Sequence, residues 1–199
     1  MLVVKPYNRE RAVKYAKRWA LDRNPLFIDF TEIGGNCTNF VSQAILAGSC
    51  TMNYTPDFGW YYVNESDRAP AWSGVEFLYD FLTGAPAFIE KNGGIGPFAV
   101  EVERERVEIG DVAQYANTGG DWYHTVMITG FDGEEILVSA QSNDAKNRRL
   151  SSYNFASARF LHIGGVRVEI SDDNCFDLLY NGGELPMPEE PEREGEATE

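Results

Sequence analysis

The pattern of apolar and polar positions predicts helices in the first half of the chain. The segment from Asn8 to Asn24 repeats apolar residues at helical spacing behind a residue that favours helix starts, so it predicts an amphipathic helix. A second helix is predicted over roughly Cys37 to Ala47, after a Gly-Gly pair and before Gly48, which should end it. Ser73 should cap a third helix, SGVEFLYDFLTG.

Beyond residue 97 the pattern becomes that of β-strands. The stretches IGDVAQYA, HTVMITGF, EEILVSAQ and ARFLHIGGVRVEI are alternating or β-branched, and FDGEE predicts a hairpin turn. Residues 49–71 are aromatic but aperiodic, which predicts a long ordered loop. The order predicts one α+β domain over residues 1–183, with N-terminal helices packed on a C-terminal antiparallel sheet.

Composition and charge narrow the possible partners. Of the formal charge of −14, the segment 184–199 carries seven glutamates and one arginine, and it predicts an acidic disordered tail. The remaining chain is still acidic, which disfavours nucleic acid and anionic membranes as partners. No apolar run reaches the roughly 20 residues of a membrane span, so membrane insertion is not expected. No signal peptide is visible; an extracellular or cell-wall location requires a removed leader, and otherwise the location is cytoplasmic.

The three cysteines, Cys37, Cys50 and Cys175, leave at least one thiol unpaired. This number argues against a disulfide framework. Their spacing, with only two histidines in the chain, also gives no metal site, and no cofactor is expected.

Cys37 is the candidate nucleophile because it begins a predicted helix. Unpaired amides and the helix dipole at that position favour a thiolate, and the same amides can form an oxyanion hole. The alternative is that Cys37 packs as a small apolar residue. A cysteine phosphatase is excluded because Gln43 stands where the C-x₅-R pattern requires arginine.

A cysteine nucleophile needs an imidazole base, and only two are available. His124 opens a predicted strand and is the candidate, whereas His162 lies within an alternating strand and is expected to pack or face solvent. The next strand should return Gln141 and Asp144 towards His124. We expect Gln141, or alternatively Asp144, to orient the imidazole.

The ordered blocks YNRERAVKYAKRWA, NCTNFVSQAI, IGDVAQY, WYHTVMIT and ILVSAQSND resemble the bacterial putative amidase domain family over roughly residues 7–163. That family is similar to papain-like cysteine peptidases and amidases that act on cell-wall peptides. The resemblance implies a papain-like fold, with Cys37 as nucleophile and His124 as base. The chain departs from the family where Asn36 replaces the common Asp and Gln141 replaces the usual His; Asp144 matches the acidic position that follows.

Two functions follow from these residues. The first is a cysteine amidase or peptidase that hydrolyses amide bonds, by resemblance in peptidoglycan peptides, through a thioester acyl-enzyme. The second is a weakened binding module that holds a peptide or glycopeptide in a cleft lined by aromatic residues. The aromatic residues expected to line that cleft are Trp60, Tyr61, Trp72 and Trp122.

Overall fold

The computed structural model describes residues 2–169 and 174–183. The helices are α1 (Arg9–Trp19), α2 (Cys37–Ser49), α3 (Pro70–Ser73), α4 (Val75–Thr83), α5 (Pro86–Asn92) and α6 (Cys175–Tyr180). The strands are β1 (Val3–Lys5), β2 (Tyr62–Asn64), β3 (Asp67–Arg68), β4 (Gly96–Val102), β5 (Val112–Ala116), β6 (Trp122–Asp132), β7 (Glu135–Ala140), β8 (Ala145–Arg149) and β9 (Ser157–Val168).

Seven strands form one curled antiparallel sheet, and β2 and β3 form a separate pair. The main order is β1-β9-β5-β6-β7-β8, and β4 pairs with β9. Leu161 of β9 pairs with Glu101 of β4 and with Val112 of β5, so those two strands flank β9 on opposite sides. The pairing of β6 with β7 runs from Met127 and Ser139 to Asp132 and Glu135. The residues of β6 before Met127 pair with β5.

Two apolar clusters cover the two faces of this sheet. The larger cluster joins α1, α2 and α4 to one face, where Val112, Met127 and Leu161 belong to it. The smaller cluster lies on the other face and includes Tyr115, Val126 and Ile128. Every residue of α2 is buried, because the helix packs between α1 and the sheet. Helix α2 is therefore the central helix of the fold.

The predicted α+β class, the first two helices and the four strands are confirmed. Asn8 caps α1, with its side chain accepting a hydrogen bond from the Arg11 amide at 3.0 Å. The predicted end of α2 at Gly48 is wrong, because the helix continues to Ser49 and Cys50 supplies the left-handed residue after it. Gly48 instead allows close packing, since a Cβ there would lie 2.5 Å from the Tyr7 ring.

Two further local predictions are wrong. Ser73 ends α3 and does not cap the next helix; α4 follows Gly74, which has no side chain to cap with. The Ser73 hydroxyl accepts a hydrogen bond from Arg68 Nε at 3.1 Å. The predicted loop 49–71 contains β2, β3 and the start of α3. Elements this short carry too few residues for a visible period.

A disulfide joins Cys50, at the end of α2, to Cys175, at the start of α6. The number of cysteines argued against a disulfide framework, and this single disulfide was not predicted, although the odd number did require a free thiol. Cys37 is that free cysteine, and it is buried. The predicted acidic tail, 184–199, lies outside the described residues.

No helix within the described residues is long and apolar enough to cross a membrane.

Candidate functional site

The turn before Cys37 is built by two consecutive glycines. Gly34 and Gly35 have φ values of 113° and 106°, a region that side chains with a Cβ rarely adopt. A Cβ on Gly35 would also lie 3.3 Å from the Ser142 hydroxyl. Asn36 follows the turn directly, and Cys37 begins α2 as the sequence predicted.

Asn36 is held from the end of β7. Its amide nitrogen donates to the Ser142 hydroxyl, and its side-chain Nδ2 donates to Gln141 Oε1. Its Oδ1 accepts hydrogen bonds from the Phe30 amide at 3.0 Å and from Asn39 Nδ2 at 2.8 Å. Asn36 is buried, and these contacts fix the residue directly before Cys37.

Ser142 adopts a left-handed backbone conformation, with φ of 80°. Such a conformation costs a residue with a side chain roughly 1–3 kcal/mol, and the surrounding contacts must maintain it. Its hydroxyl contact with the Asn36 amide is one of those contacts.

The residue after Cys37 is held by β6. Thr38 Oγ1 and Thr125 Oγ1 form a hydrogen bond of 3.0 Å between buried side chains, and Cys37 Sγ lies 3.8 Å from Thr38 Oγ1. Cys37 thus stands between one residue bound to the end of β7 and one bound to the start of β6. That is the end of the sheet at which the β6–β7 pairing has stopped.

His124 directly precedes Thr125, so the two side chains project from opposite faces of β6. Thr125 faces α2, and His124 faces away from it. It pairs with Tyr115, and the two ring centroids are 5.7 Å apart. The ring also lies 6.0 Å from Tyr153. Burial, with a smaller contribution from the Arg148 guanidinium, lowers the pKa of His124 to about 4, so the imidazole is neutral near pH 7.

No hydrogen bond joins Cys37 Sγ to the His124 imidazole within residues 2–169 and 174–183. The two residues share one end of the sheet, and their neighbours Thr38 and Thr125 touch. A direct proton transfer therefore requires the imidazole to move from the position it has beside Tyr115 in this structure. Catalytic hydrogen bonds are often long before substrate binds.

The structure does not place Gln141 or Asp144 against His124. Gln141 Nε2 donates to the carbonyls of Trp19 and Asp22, both at 2.7 Å, and its Oε1 accepts from Asn36, so its side chain is fully occupied. Asp144 accepts two hydrogen bonds from Arg23, at 2.9 and 3.0 Å. The prediction that either residue orients His124 is wrong in this geometry. Gln141 projects from the face of the sheet that packs against α2, whereas His124 projects from the opposite face.

The aromatic residues expected in a cleft have different positions. Trp60 and Trp72 are fully buried, and their indole nitrogens donate to Ser42 Oγ at 3.0 Å and Asn39 Oδ1 at 2.7 Å. They are core residues that support α2, which corrects their prediction as substrate-binding residues. Tyr61 is also buried. Trp122 is half-buried, and the Arg159 guanidinium lies 4.0 Å from its ring centroid.

His162 is a structural residue. Its Nδ1 lies 2.9 Å from a carboxylate oxygen of the buried Asp111, which also binds Arg9 of α1 at 2.5 Å. Within the described chain, no group of three or more histidine, cysteine, aspartate or glutamate side chains could hold a metal ion.

Comparison with known sequences identifies the family of this chain. Residues 6–164 match the sequence profile of the putative amidase domain. The chain belongs to the putative amidase domain family. The match covers every residue of the site described above, from the Gly-Gly turn to Ser142.

Two proteins from Bacillus subtilis strain 168 are similar to the chain. Uncharacterized protein YhbB is 32% identical over 171 residues, which cover 84% of this chain and 51% of that protein. Uncharacterized protein YjcM is 30% identical over 152 residues, or 72% of this chain and 33% of that protein. The chain therefore spans about half of one relative and a third of the other. No solved structure matches the chain.

Sequence reasoning missed several residues of the site. These are Asn36 and Ser142 as contacts of the Cys37 turn, Thr38 and Thr125 as the link to β6, and Tyr115 and Tyr153 around His124. The sequence holds a partial signal for one of them. The pairing of His124 with Tyr115 depends only on the register of the hairpin formed by β5 and β6. The sequence NTGGD does not fix the length of the turn in that hairpin, so the register could not be predicted.

Proposed function

We propose that this chain is a cysteine-dependent amidase or peptidase that hydrolyses amide bonds, with peptidoglycan peptides as substrates. The family supports amide hydrolysis. The observation that carries the cysteine mechanism is the position of Cys37, the free cysteine, at the first residue of α2 with both neighbours held by hydrogen bonds. A nucleophile must be fixed within a fraction of an ångström, and this arrangement provides that constraint.

In the proposed reaction the His124 ring moves from the face of β6 that it shares with Tyr115 towards Cys37 and takes the thiol proton, and the Cys37 sulfur attacks the carbonyl carbon of the amide. The amides of the first turn of α2 stabilise the oxyanion that forms. His124 then protonates the leaving amine, and a water molecule hydrolyses the thioester to release the acid and restore the thiol. Burial of the ring works against the imidazolium, so its charge must be offset by a thiolate that the moved ring contacts.

The test uses peptides released from purified peptidoglycan, with appearance of new amines as the measurement. Cys37→Ala should abolish turnover, and His124→Ala should lower kcat/KM by about 10²–10⁴-fold, the usual contribution of a general base. His162→Gln is the matched control, because it removes the other imidazole and should leave the rate near that of the parent. Equal rates for the parent and Cys37→Ala would contradict the cysteine mechanism.

A second candidate function is supported by the separation of Cys37 and His124. Cys37 and His124 form no hydrogen bond, and a module that binds a peptide without cleaving it would need no such contact. Calorimetric titration of the same wall peptides distinguishes the two functions. Binding that is equal in the parent and in Cys37→Ala, with no new amine from either, would favour the binding module.

A further inference from the structure

Four polar side chains form a row that ends at Cys37, on the face of the sheet that packs against α2. Thr125 of β6 pairs with Gln114 of β5, and Gln114 pairs with Arg159 of β9, so their side chains lie side by side. All three are buried. Thr38 of α2 continues the row through its 3.0 Å contact with Thr125. Buried polar groups are nearly always paired, so the donors and acceptors of this row can be assigned one by one.

The side-chain amide of Gln114 has one orientation that satisfies both of its ends. Its Oε1 accepts a hydrogen bond from Arg159 Nε at 2.8 Å, and its Nε2 donates to the Val75 carbonyl at 2.8 Å. The reverse orientation would set the amide nitrogen against a guanidinium that only donates, and the amide oxygen against a carbonyl that only accepts. The Arg159 guanidinium carbon is itself held 3.6 Å from the ring centroid of Tyr79 and 4.0 Å from that of Trp122. Gln114 therefore presents a donor, Nε2, to its neighbour on β6.

The direction of the next hydrogen bonds follows from that donor. Gln114 Nε2 lies 3.3 Å from Thr125 Oγ1, so Thr125 accepts at this contact. Within residues 2–169 and 174–183 the other hydrogen-bond partner of the Thr125 hydroxyl is Thr38 Oγ1. A hydroxyl has one proton to donate, and that of Thr125 has an acceptor only if it points at Thr38. Thr38 Oγ1 then accepts from Thr125, and its own proton is left for Cys37 Sγ at 3.8 Å.

We propose that the Thr38 hydroxyl donates a hydrogen bond to Cys37 Sγ and thereby stabilises the thiolate. Thr125, Gln114 and Arg159 are the positioning residues, because they fix the direction in which Thr38 donates. This inference rests on the proposed function, in which Cys37 is the nucleophile. The thiolate is the nucleophilic form of cysteine, and a hydrogen bond to a charged form favours that form. The row is buried, and a hydrogen bond in such surroundings is electrostatically stronger than one in water.

The test measures the rate at which iodoacetamide alkylates Cys37 as a function of pH. Cys50 and Cys175 are joined in a disulfide, so Cys37 is the free cysteine of the unreduced protein. Thr38→Val removes the hydroxyl at nearly constant volume. The midpoint of its alkylation profile should rise by about one pH unit, which corresponds to a tenfold loss of thiolate stability. Thr38→Ser keeps a hydroxyl and should have a midpoint close to that of the parent.

Thr125→Val separates the two directions of the hydrogen bond. If Thr38 donates to Cys37, the loss of Thr125 removes the group that orients this bond, and the midpoint should rise by less than in Thr38→Val. If Thr38 instead donates to Thr125, its freed proton turns to the sulfur and the midpoint falls. Thr129→Val is the matched control, because it removes another buried hydroxyl of β6, which contacts Ser139 Oγ at 3.1 Å. It should leave the profile unchanged.

An unchanged midpoint in Thr38→Val, or a lowered midpoint in Thr125→Val, would overturn this proposal. A threonine that only supports the fold would affect thermal unfolding without moving the alkylation profile. In turnover, kcat/KM of Thr38→Val should fall about tenfold at a pH below the parent's midpoint and recover in Thr38→Ser. Alkylation does not depend on turnover, so an inactive parent would refute the proposed function while leaving the result for the Thr38 hydroxyl intact.

Discussion

Replacing Gln141 by alanine tests the contacts that hold the turn before Cys37. The side chain is 2% exposed and makes three hydrogen bonds, to Asn36 and to the carbonyls of Trp19 and Asp22. Each bond contributes about 1 kcal/mol net, and the loss leaves buried partners unpaired, so the free energy of unfolding should fall by about 3 kcal/mol or more. For a chain of this size that lowers the thermal midpoint by about 6–12 °C.

Calorimetry measures the midpoint, and iodoacetamide labelling of Cys37 measures the state of the turn. Gln141→Met keeps most of the volume and removes the hydrogen bonds, so it separates the polar contribution from that of a cavity. Asp144→Ala, in the same connection between β7 and β8, removes a partly exposed ion pair with Arg23 and should cost no more than about 1 kcal/mol. A Gln141→Ala protein as stable as Asp144→Ala would refute the reasoning.

Three further predictions follow from the described contacts and the sequence. Replacing Cys50 and Cys175 by alanine should lower the free energy of unfolding by about 2–5 kcal/mol in urea titration, because the disulfide closes a loop over a separation of 125 residues. In the unreduced parent only Cys37 should be alkylated, and label on three cysteines would contradict the disulfide. The pKa of His124 is about 4 in the folded protein and 6.5 in the unfolded chain. The free energy of unfolding should therefore be highest above pH 6.5 and fall by about 3 kcal/mol as the pH decreases to 4. His124→Gln should lack this dependence, and an equal slope in both proteins would count against the buried neutral imidazole. Removal of residues 184–199 should leave the thermal midpoint within about 1 °C, since the segment has little apolar area to bury; a loss of several degrees would show that it docks.

Local patterns in the sequence predicted the elements that carry the site but not the contacts between them. The Gly-Gly turn, the helix that starts at Cys37 and the strand of His124 could be predicted because each depends on nearby residues. The face of the sheet from which the His124 side chain projects depends on the register between His124 and Tyr115. A shift of that register by one residue would place the side chain on the opposite face. The contacts of Gln141 with Trp19 and Asp22 join segments about 120 residues apart, which no local pattern encodes.

The disulfide was missed for a similar reason. An odd number of cysteines is compatible with one bond or none, and the deciding quantity is the distance between helix ends. Cys50 and Cys175 have Cα atoms 5.5 Å apart because α6 packs on α1 and α2. The sequence around Cys175 gives only a short helical segment with no indication of where it docks.

The pairing of β1 with β9 has a consequence for synthesis of the protein. Val3 pairs with Val168, which is synthesised much later than Val3, and Arg9 donates to the Ile163 carbonyl at 2.6 Å. At about 5–20 residues per second the N-terminal strand has no partner for roughly ten to thirty seconds. Contacts of such long range also slow folding. The nascent chain must therefore carry an open strand edge until almost the whole sheet has been made, and any factor that shields that edge would act during this interval.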